Sequence, residues 1–285
     1  MTDYQKIVWL ASYPKSGSTW VRCFLDAYFL GSVDINDLVC SVADDTSTRY
    51  AVGDGSDVRK FPIEIQQLTR PMALLRLVRA WNETDHAQKM PLFVKTHAAH
   101  MVTNGIELLP AQLTHSVIHL VRDPRDTFLS FEKHMGLDRK TALKAFFDKY
   151  RTLTDDKRAK MHDFISSWAL NTQSYLNADT HNVRTFRFED MRRIPVETFS
   201  EILRHAGVDP DHDRVEAALE AVTLDKLKSQ EKEVGFKEAS PHHAFFGKGE
   251  VGGWKGKLHP FEERKIVDRC KGAMKLAGYI GKRAA

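Results

Sequence analysis

Nine consecutive residues, Ser12-Tyr13-Pro14-Lys15-Ser16-Gly17-Ser18-Thr19-Trp20, concentrate groups that bind an anion. Lys15 brings a mobile positive charge, and Ser16, Ser18 and Thr19 bring hydroxyl donors. Gly17 lets the backbone approach a ligand closely, and Trp20 offers a flat face for a base. Further along, Lys95 and His97 stand two residues apart, a spacing that points both side chains to one face of a strand. A histidine with an ordinary pKa of about 6.5 can take a proton near neutral pH. Arg122 is followed by Ser130, and Lys248 and Gly249 lie in a glycine-rich stretch with Gly247, Gly252 and Gly253. Each residue alone also has a plain structural reading. Trp20 suits a core, Arg122 an ion pair with Asp126, and Lys248 a solvated surface. His97 is one of 13 histidines, with His100, His115 and His119 close by. Their grouping is what points to chemistry.

The elements that must position these groups read as strands alternating with helices. An apolar run, Ile7 to Ala11, enters the first loop as a buried strand. Val21, Phe24, Leu25, Tyr28 and Phe29 leave it at helical spacing, and Gly31 ends that helix. Strand, tight polar loop and helix together present backbone N–H groups and a helix N-terminus to an anion. Pro91–His97 reads as a short strand that ends in polar chemistry, and His115–Val121 as another strand, ending at Arg122. Pro124 after Asp123 predicts a capped helix start, which puts Ser130 about two turns in. The spacing predicts a helical pattern over 61–81 interrupted at Pro71, helices over 138–178, a strand over 182–188, and amphipathic helices over 196–206 and 213–221. It predicts a charged, glycine- and histidine-rich loop over 228–258 and a last helix from about Phe261 to Leu276. The polar stretch 41–60 reads as a long loop. This pattern predicts an α/β fold of three layers, a central mainly parallel sheet flanked by helices, in one domain over 1–285. In such sheets ligands sit beyond the carboxyl ends of the strands, where Lys15, Lys95, His97 and Arg122 fall.

Composition narrows the class. Of 285 residues, 42% are hydrophobic and 28% charged, the balance of a water-soluble globular chain. No apolar run is long enough to span a membrane, and the N-terminus leads almost directly into the first strand without a signal peptide. The three cysteines, Cys23, Cys40 and Cys270, show neither disulfide nor metal-ligand spacing and suit a reducing cytoplasm. A net charge of +4 suits an anion held in a local pocket better than a nucleic-acid track. His242-His243 alone do not point at one metal ion.

A phosphate loop first suggests a nucleoside triphosphatase. That loop places its lysine just before a Mg-binding hydroxyl, whereas Lys15 precedes Gly17. No apolar strand here ends in an evident Mg-holding carboxylate, which points to an anion that needs no metal.

Pro14-Lys15-Ser16-Gly17-Ser18-Thr19-Trp20 closely resembles the 5′-phosphosulfate loop of the cytosolic-type sulfotransferases. These enzymes move a sulfuryl group from 3′-phosphoadenosine 5′-phosphosulfate (PAPS) to an acceptor hydroxyl or amine, leaving PAP. Val94-Lys95-Thr96-His97 resembles their strand with the catalytic histidine. Val121-Arg122-Asp123-Pro124-Arg125-Asp126 with Ser130 resembles their 3′-phosphate site. Phe188-Glu189-Asp190-Met191 resembles the segment bordering the adenine, and Gly247 to Lys255 resembles the loop that closes over the cofactor. The matches run in family order from about residue 9 to 258. The resemblance implies a P-loop-like nucleotide-binding fold and His97 as general base. It implies Lys15 and Lys95 on the transferring group, Trp20 and Phe188 at the adenine, and Ser16, Gly17, Ser18 and Thr19 at the 5′ end. Arg122, Ser130, Lys248 and Gly249 fall to the 3′-phosphate end. Three positions depart from the pattern: Gly247 replaces the usual arginine, Phe188 a frequent tyrosine, and Gly253 an acidic residue. One 3′-phosphate contact of the family is then lost or supplied by another residue, with Lys248 and Lys255 as the candidates. The short dimerisation segment of the animal members is absent, which leaves the oligomeric state open.

The acceptor is to be set by residues 41–85, 135–170 and 230–247, and these leave a small phenol or alcohol, a lipid and a carbohydrate all open. Two other readings stay open: a kinase or other phosphoryl transferase on a related scaffold, and a non-catalytic PAP-binding protein.

Overall fold

A computed structural model describes residues 5–39, 63–153, 163–240 and 243–281. The expected loop at 41–60 and Cys40 lie outside the described residues. Four parallel strands form the central sheet: β1 (Ile7–Ser12), β2 (Leu92–Thr96), β3 (Thr114–Val121) and β4 (Val183–Arg187), in the order β2-β1-β3-β4. β1 is buried at every position, as its unbroken apolar run requires of a strand covered on both faces. β4, with alternate polar residues, is at the edge and less buried.

Register decides what happens at the carboxyl ends. Ala11 lies beside Thr96 on one side and His119 on the other, and Ser12 lies beside Leu120. Val121 lies beside Arg187. The loops that follow the four strands therefore leave the sheet together, carrying Lys15, His97, Arg122 and Phe188 to one edge.

Helices flank the sheet: α1 (Ser18–Leu30), α2 (Ile63–Asn82), α3 (Pro124–Met135), α4 (Arg139–Phe146), α5 (Trp168–Leu176), α6 (Phe188–Arg193), α7 (Pro195–His205), α8 (His212–Ala221), α9 (Leu224–Val234) and α10 (Pro260–Leu276). Val21, Phe24 and Leu25 of α1 pack with the strands, α2, α7 and α8 in one core. A second core joins α3, α4, α5 and α10 around Tyr13 and Val121. Each large apolar side chain buried there contributes about 1.5–3 kcal/mol.

Asp123 caps α3 as its sequence predicts, accepting from the Arg125 N–H, with Pro124 in the first turn. Three expectations are corrected. α2 runs through Pro71 instead of breaking there, and Ala73, Leu74, Leu77 and Val78 beyond the proline are buried in the core. Residues 138–178 are not helical throughout, because Thr152–Leu153 and Asp163–Phe164 pair as a short antiparallel ladder. The charged start of the 228–258 stretch is the end of α9, whose exposed polar face hides its helical period.

Candidate active site

The edge where the strands end opens into a cavity of about 1030 Å³. Lys15, Gly17, Ser18, Thr19, Trp20, Lys95, His97, Arg122, Ser130, Phe188, Lys248 and Gly249 all line it. Ser16 is the one expected residue absent from the lining: it is fully buried, and its Oγ has no hydrogen-bond partner.

The first loop is held by backbone geometry. Lys15 has φ 73° and Gly17 φ 102°, both left-handed. Gly17 is also the N-cap of α1 and offers no side-chain cap, so the first turn keeps N–H groups with no intrahelical acceptor. A Cβ on Gly17 would stand 2.8 Å from Phe188 Cδ2. Only glycine meets both demands, the positive φ and the close approach.

Charge gathers at two places along the cavity. Burial pushes the Lys15 ammonium down to about 8, against the opposing pull of Glu238, and its Nζ lies 3.7 Å from the centre of the Phe245 ring. Arg122 is likewise driven down by burial. It stacks over Phe188 at 4.5 Å, and its Nη2 donates to the Glu250 carbonyl at 2.9 Å. Its Nε is buried without a partner. Both cations are desolvated and line one cavity, and Arg122 Nη1 also donates to the Lys15 carbonyl at 3.4 Å. Trp20 lies edge-on to Phe188, the ring under Arg122, at 6.2 Å and to Phe199 at 5.1 Å.

His97 sits where β2 ends. Its Nδ1 is 2.7 Å from the Ser12 carbonyl oxygen. A carbonyl only accepts, so Nδ1 carries the proton and the neutral ring has its basic lone pair on Nε2. The competing histidines lie elsewhere. His119 is buried against Tyr175 and pushed down to about 3 by desolvation. His100 pairs with His181, and His115 with Ser116. None of the three lines the cavity.

The residues from 243 to 257 are fastened by carboxylates remote in sequence. Asp126 accepts from the Gly252 and Trp254 N–H groups, both at 2.8 Å. Glu231 accepts from the N–H groups of Phe245 and Phe246. Lys248 and Lys257 both reach the Glu250 carboxylate, at 3.6 and 3.2 Å. Lys257 lines the cavity and Lys255 does not. The sequence reading missed Asp126 and Glu189 as anchors, and Glu231, Lys257 and Glu238 altogether. Glu189 accepts from the Asp123 N–H and so fixes the turn that aims Arg122. A carboxylate after a strand or on a helix face carries no local mark of such a partner; the Asp123 cap did. His243 lines the cavity, and His242 lies outside the described residues. Among the described residues no three His, Cys, Asp or Glu side chains gather as metal ligands, and no helix is long and apolar enough to cross a membrane.

Comparison with known proteins agrees with this geometry. The sulfotransferase domain model matches residues 5–278. Cytosolic sulfotransferase 8 of Arabidopsis thaliana is 22% identical over 267 residues, covering 90% of this chain and 73% of its own length. Mouse sulfotransferase SULT7A1 complexed with PAP superposes with a TM-score of 0.61 at 16% identity, over 96% of this chain and 88% of that one. Retinol dehydratase in a complex with retinol and PAP gives 0.62 at 16% identity, over 96% and 83%. At such identities the two structures share the fold. The chain belongs to the sulfotransferase domain family.

Proposed function

We propose that this sulfotransferase takes the sulfuryl group of PAPS and passes it to a hydroxyl of an acceptor molecule, with His97 as general base. The observation that carries the reading is the pair of buried cations, Lys15 and Arg122, lining one cavity together with the aromatic rings of Trp20 and Phe188. A nucleotide with phosphate at both its 5′ and 3′ positions satisfies both. When bound, PAPS supplies an activated sulfuryl group for in-line transfer, a reaction governed by positioning and electrostatics.

Gly17, Ser18 and Thr19 would hold the 5′ end through N–H and hydroxyl donors, and Lys15 Nζ would stabilise charge developing on the departing phosphate. Arg122, Ser130, Lys248 and Gly249 would hold the 3′-phosphate, with Lys257 supplying the cation that Gly247 does not. Trp20 and Phe188 would pack against the adenine. His97 Nε2 would take the acceptor's proton. Nδ1–H to the Ser12 carbonyl fixes the ring and supports the imidazolium that forms. Lys95 would stabilise the sulfuryl oxygens. The curated relative is cytosolic by name, and a cytoplasmic setting for this chain is part of the proposal.

The test uses radiolabelled PAPS with a panel of phenols, alcohols, hydroxylated lipids and sugars. Label should reach at least one acceptor. His97→Ala should bind PAP as the unaltered chain does but transfer about 10²–10⁴-fold more slowly. Unchanged transfer in that variant would remove His97 as the base. Mg-dependent turnover of ATP in place of PAPS would favour a phosphoryl transferase.

A further inference from the structure

Arg22 is a misfit on α1. It lies on the helix's core face and is fully buried. Its Nη1 is 2.9 Å from Glu238 Oε1. The other carboxylate oxygen of Glu238 is 3.4 Å from Lys95 Nζ. Glu238 and Lys95 both line the cavity, alongside Lys15 and His97.

Glu238 is held by a turn that is itself fixed. Asn36 donates from Nδ2 to the Gly235 carbonyl and accepts from the Lys237 N–H, while Phe236 packs on Phe245 and Phe246. The carboxylate is thus delivered to the cavity floor by backbone clamps.

A buried ion pair on its own is weak evidence of purpose, because desolvation offsets much of the attraction. This one does more than close on itself. An arginine stays protonated at every accessible pH, so Arg22 always presents its positive charge to the Glu238 carboxylate. That carboxylate in turn favours the charged form of Lys15. We propose that Glu238, held by Arg22, is a positioning residue that fixes Lys95 at the cavity and supplies the negative charge that Lys15 faces there. The inference rests on the reading of Lys15 and Lys95 as the groups facing the transferred sulfuryl group.

The charges facing Lys15 fit this role. Glu238 and Glu231 favour its ammonium, while Lys95 and Arg122 oppose it. His134 of α3 also faces this group, and burial together with Lys15 pushes it down to about 4, so it adds no charge near neutral pH. Cys23 on α1 is pushed up to about 12 by burial and stays a neutral thiol. Asp26, one turn on, carries a carboxylate near Cys23, not at the cavity.

The sign of the effect follows. Glu238→Gln removes one negative charge from the floor. At about pH 6, where Lys15 is protonated, the variant presents more net positive charge and should bind PAP as tightly as the unaltered chain or more tightly. At about pH 9 Lys15 should have lost more of its proton in the variant, and PAP affinity should be weaker than that of the unaltered chain, by about tenfold for each unit the Lys15 pKa falls. The two curves of affinity against pH should cross.

The experiment is a calorimetric titration with PAP across that range, on the unaltered chain, Glu238→Gln and Glu238→Asp. Crossing curves, with Glu238→Asp returning to the unaltered profile, establish the role. Parallel curves overturn it, whatever happens to the rate. If Glu238→Gln leaves Arg22 uncompensated and fails to fold, Arg22→Met/Glu238→Gln removes both charges and is read the same way. An unaltered chain that binds no PAP at any pH defeats the nucleotide reading itself and takes this inference with it, a different result from parallel curves.

Discussion

Two segments face each other across the cavity, 13–20 and 243–257, and they are built on opposite plans. The first runs from a buried strand into a helix and is fixed by its own backbone: left-handed Lys15 and Gly17, and the Trp20 N–H returned to the Gly17 carbonyl at 3.1 Å. The second has little regular structure and is fixed by carboxylates elsewhere in the chain, Asp126 on α3 and Glu231 on α9. One is a rigid cradle and the other a fastened cover. They meet where the Phe245 ring lies over Lys15 and where the Glu250 carbonyl takes the Arg122 guanidinium. A cradle held by local geometry tolerates little substitution. A cover held by a few hydrogen bonds can be loosened one bond at a time.

That contrast can be broken experimentally, and the largest effect is expected at Gly17. Gly17→Ala strains the backbone and drives a methyl group into Phe188. The strain should cost about 1–3 kcal/mol, read as a lower thermal midpoint, together with at least about a tenfold loss of PAP affinity. A variant that binds PAP normally would show that the loop does not need its left-handed turn. A smaller effect is expected at the cover. Asp126→Ala leaves the Gly252 and Trp254 N–H groups without their acceptor. PAP affinity should fall by roughly three- to tenfold, mainly through faster release, with a smaller change in thermal midpoint than at Gly17. A loss of stability equal to that of Gly17→Ala would mean that the cover is part of the core and the contrast false.

The same contrast explains what was legible in the sequence. The first loop could be read because its signals are local: an apolar strand, Lys15 and Gly17 at close spacing, then a helical period. The Asp123-Pro124 cap and the Lys95–His97 spacing are local too; the cap stands as expected, and the strand carrying Lys95 ends at Thr96, one residue before His97. The sheet order and register are not local, yet the alternation of strands and helices constrained them to a parallel arrangement with ligands at the carboxyl ends. The cover was legible only as a glycine-rich loop. Asp126 and Gly252 are 126 residues apart, and nothing near Asp126 marks it as an acceptor for that loop. Arg22 and Glu238 were missed for the same reason. A charge at a helix's buried position signals that a partner exists, but its location, 216 residues on, is a property of the fold. The end of α9 was hidden by its charge, because an exposed helix with few apolar residues looks like a loop.

The central claim is that one ligand spans the cradle and the Arg122 end, carrying an anionic group at each. It is tested most directly by titrating the chain with PAP and with adenosine 5′-phosphate, which lacks the 3′-phosphate, and repeating both with Arg122→Met. The account predicts that the unaltered chain binds PAP at least about tenfold more tightly, the worth of one charge-assisted phosphate contact, and that Arg122→Met loses most of that preference while still binding adenosine 5′-phosphate. Equal affinity for the two nucleotides in the unaltered chain would contradict it.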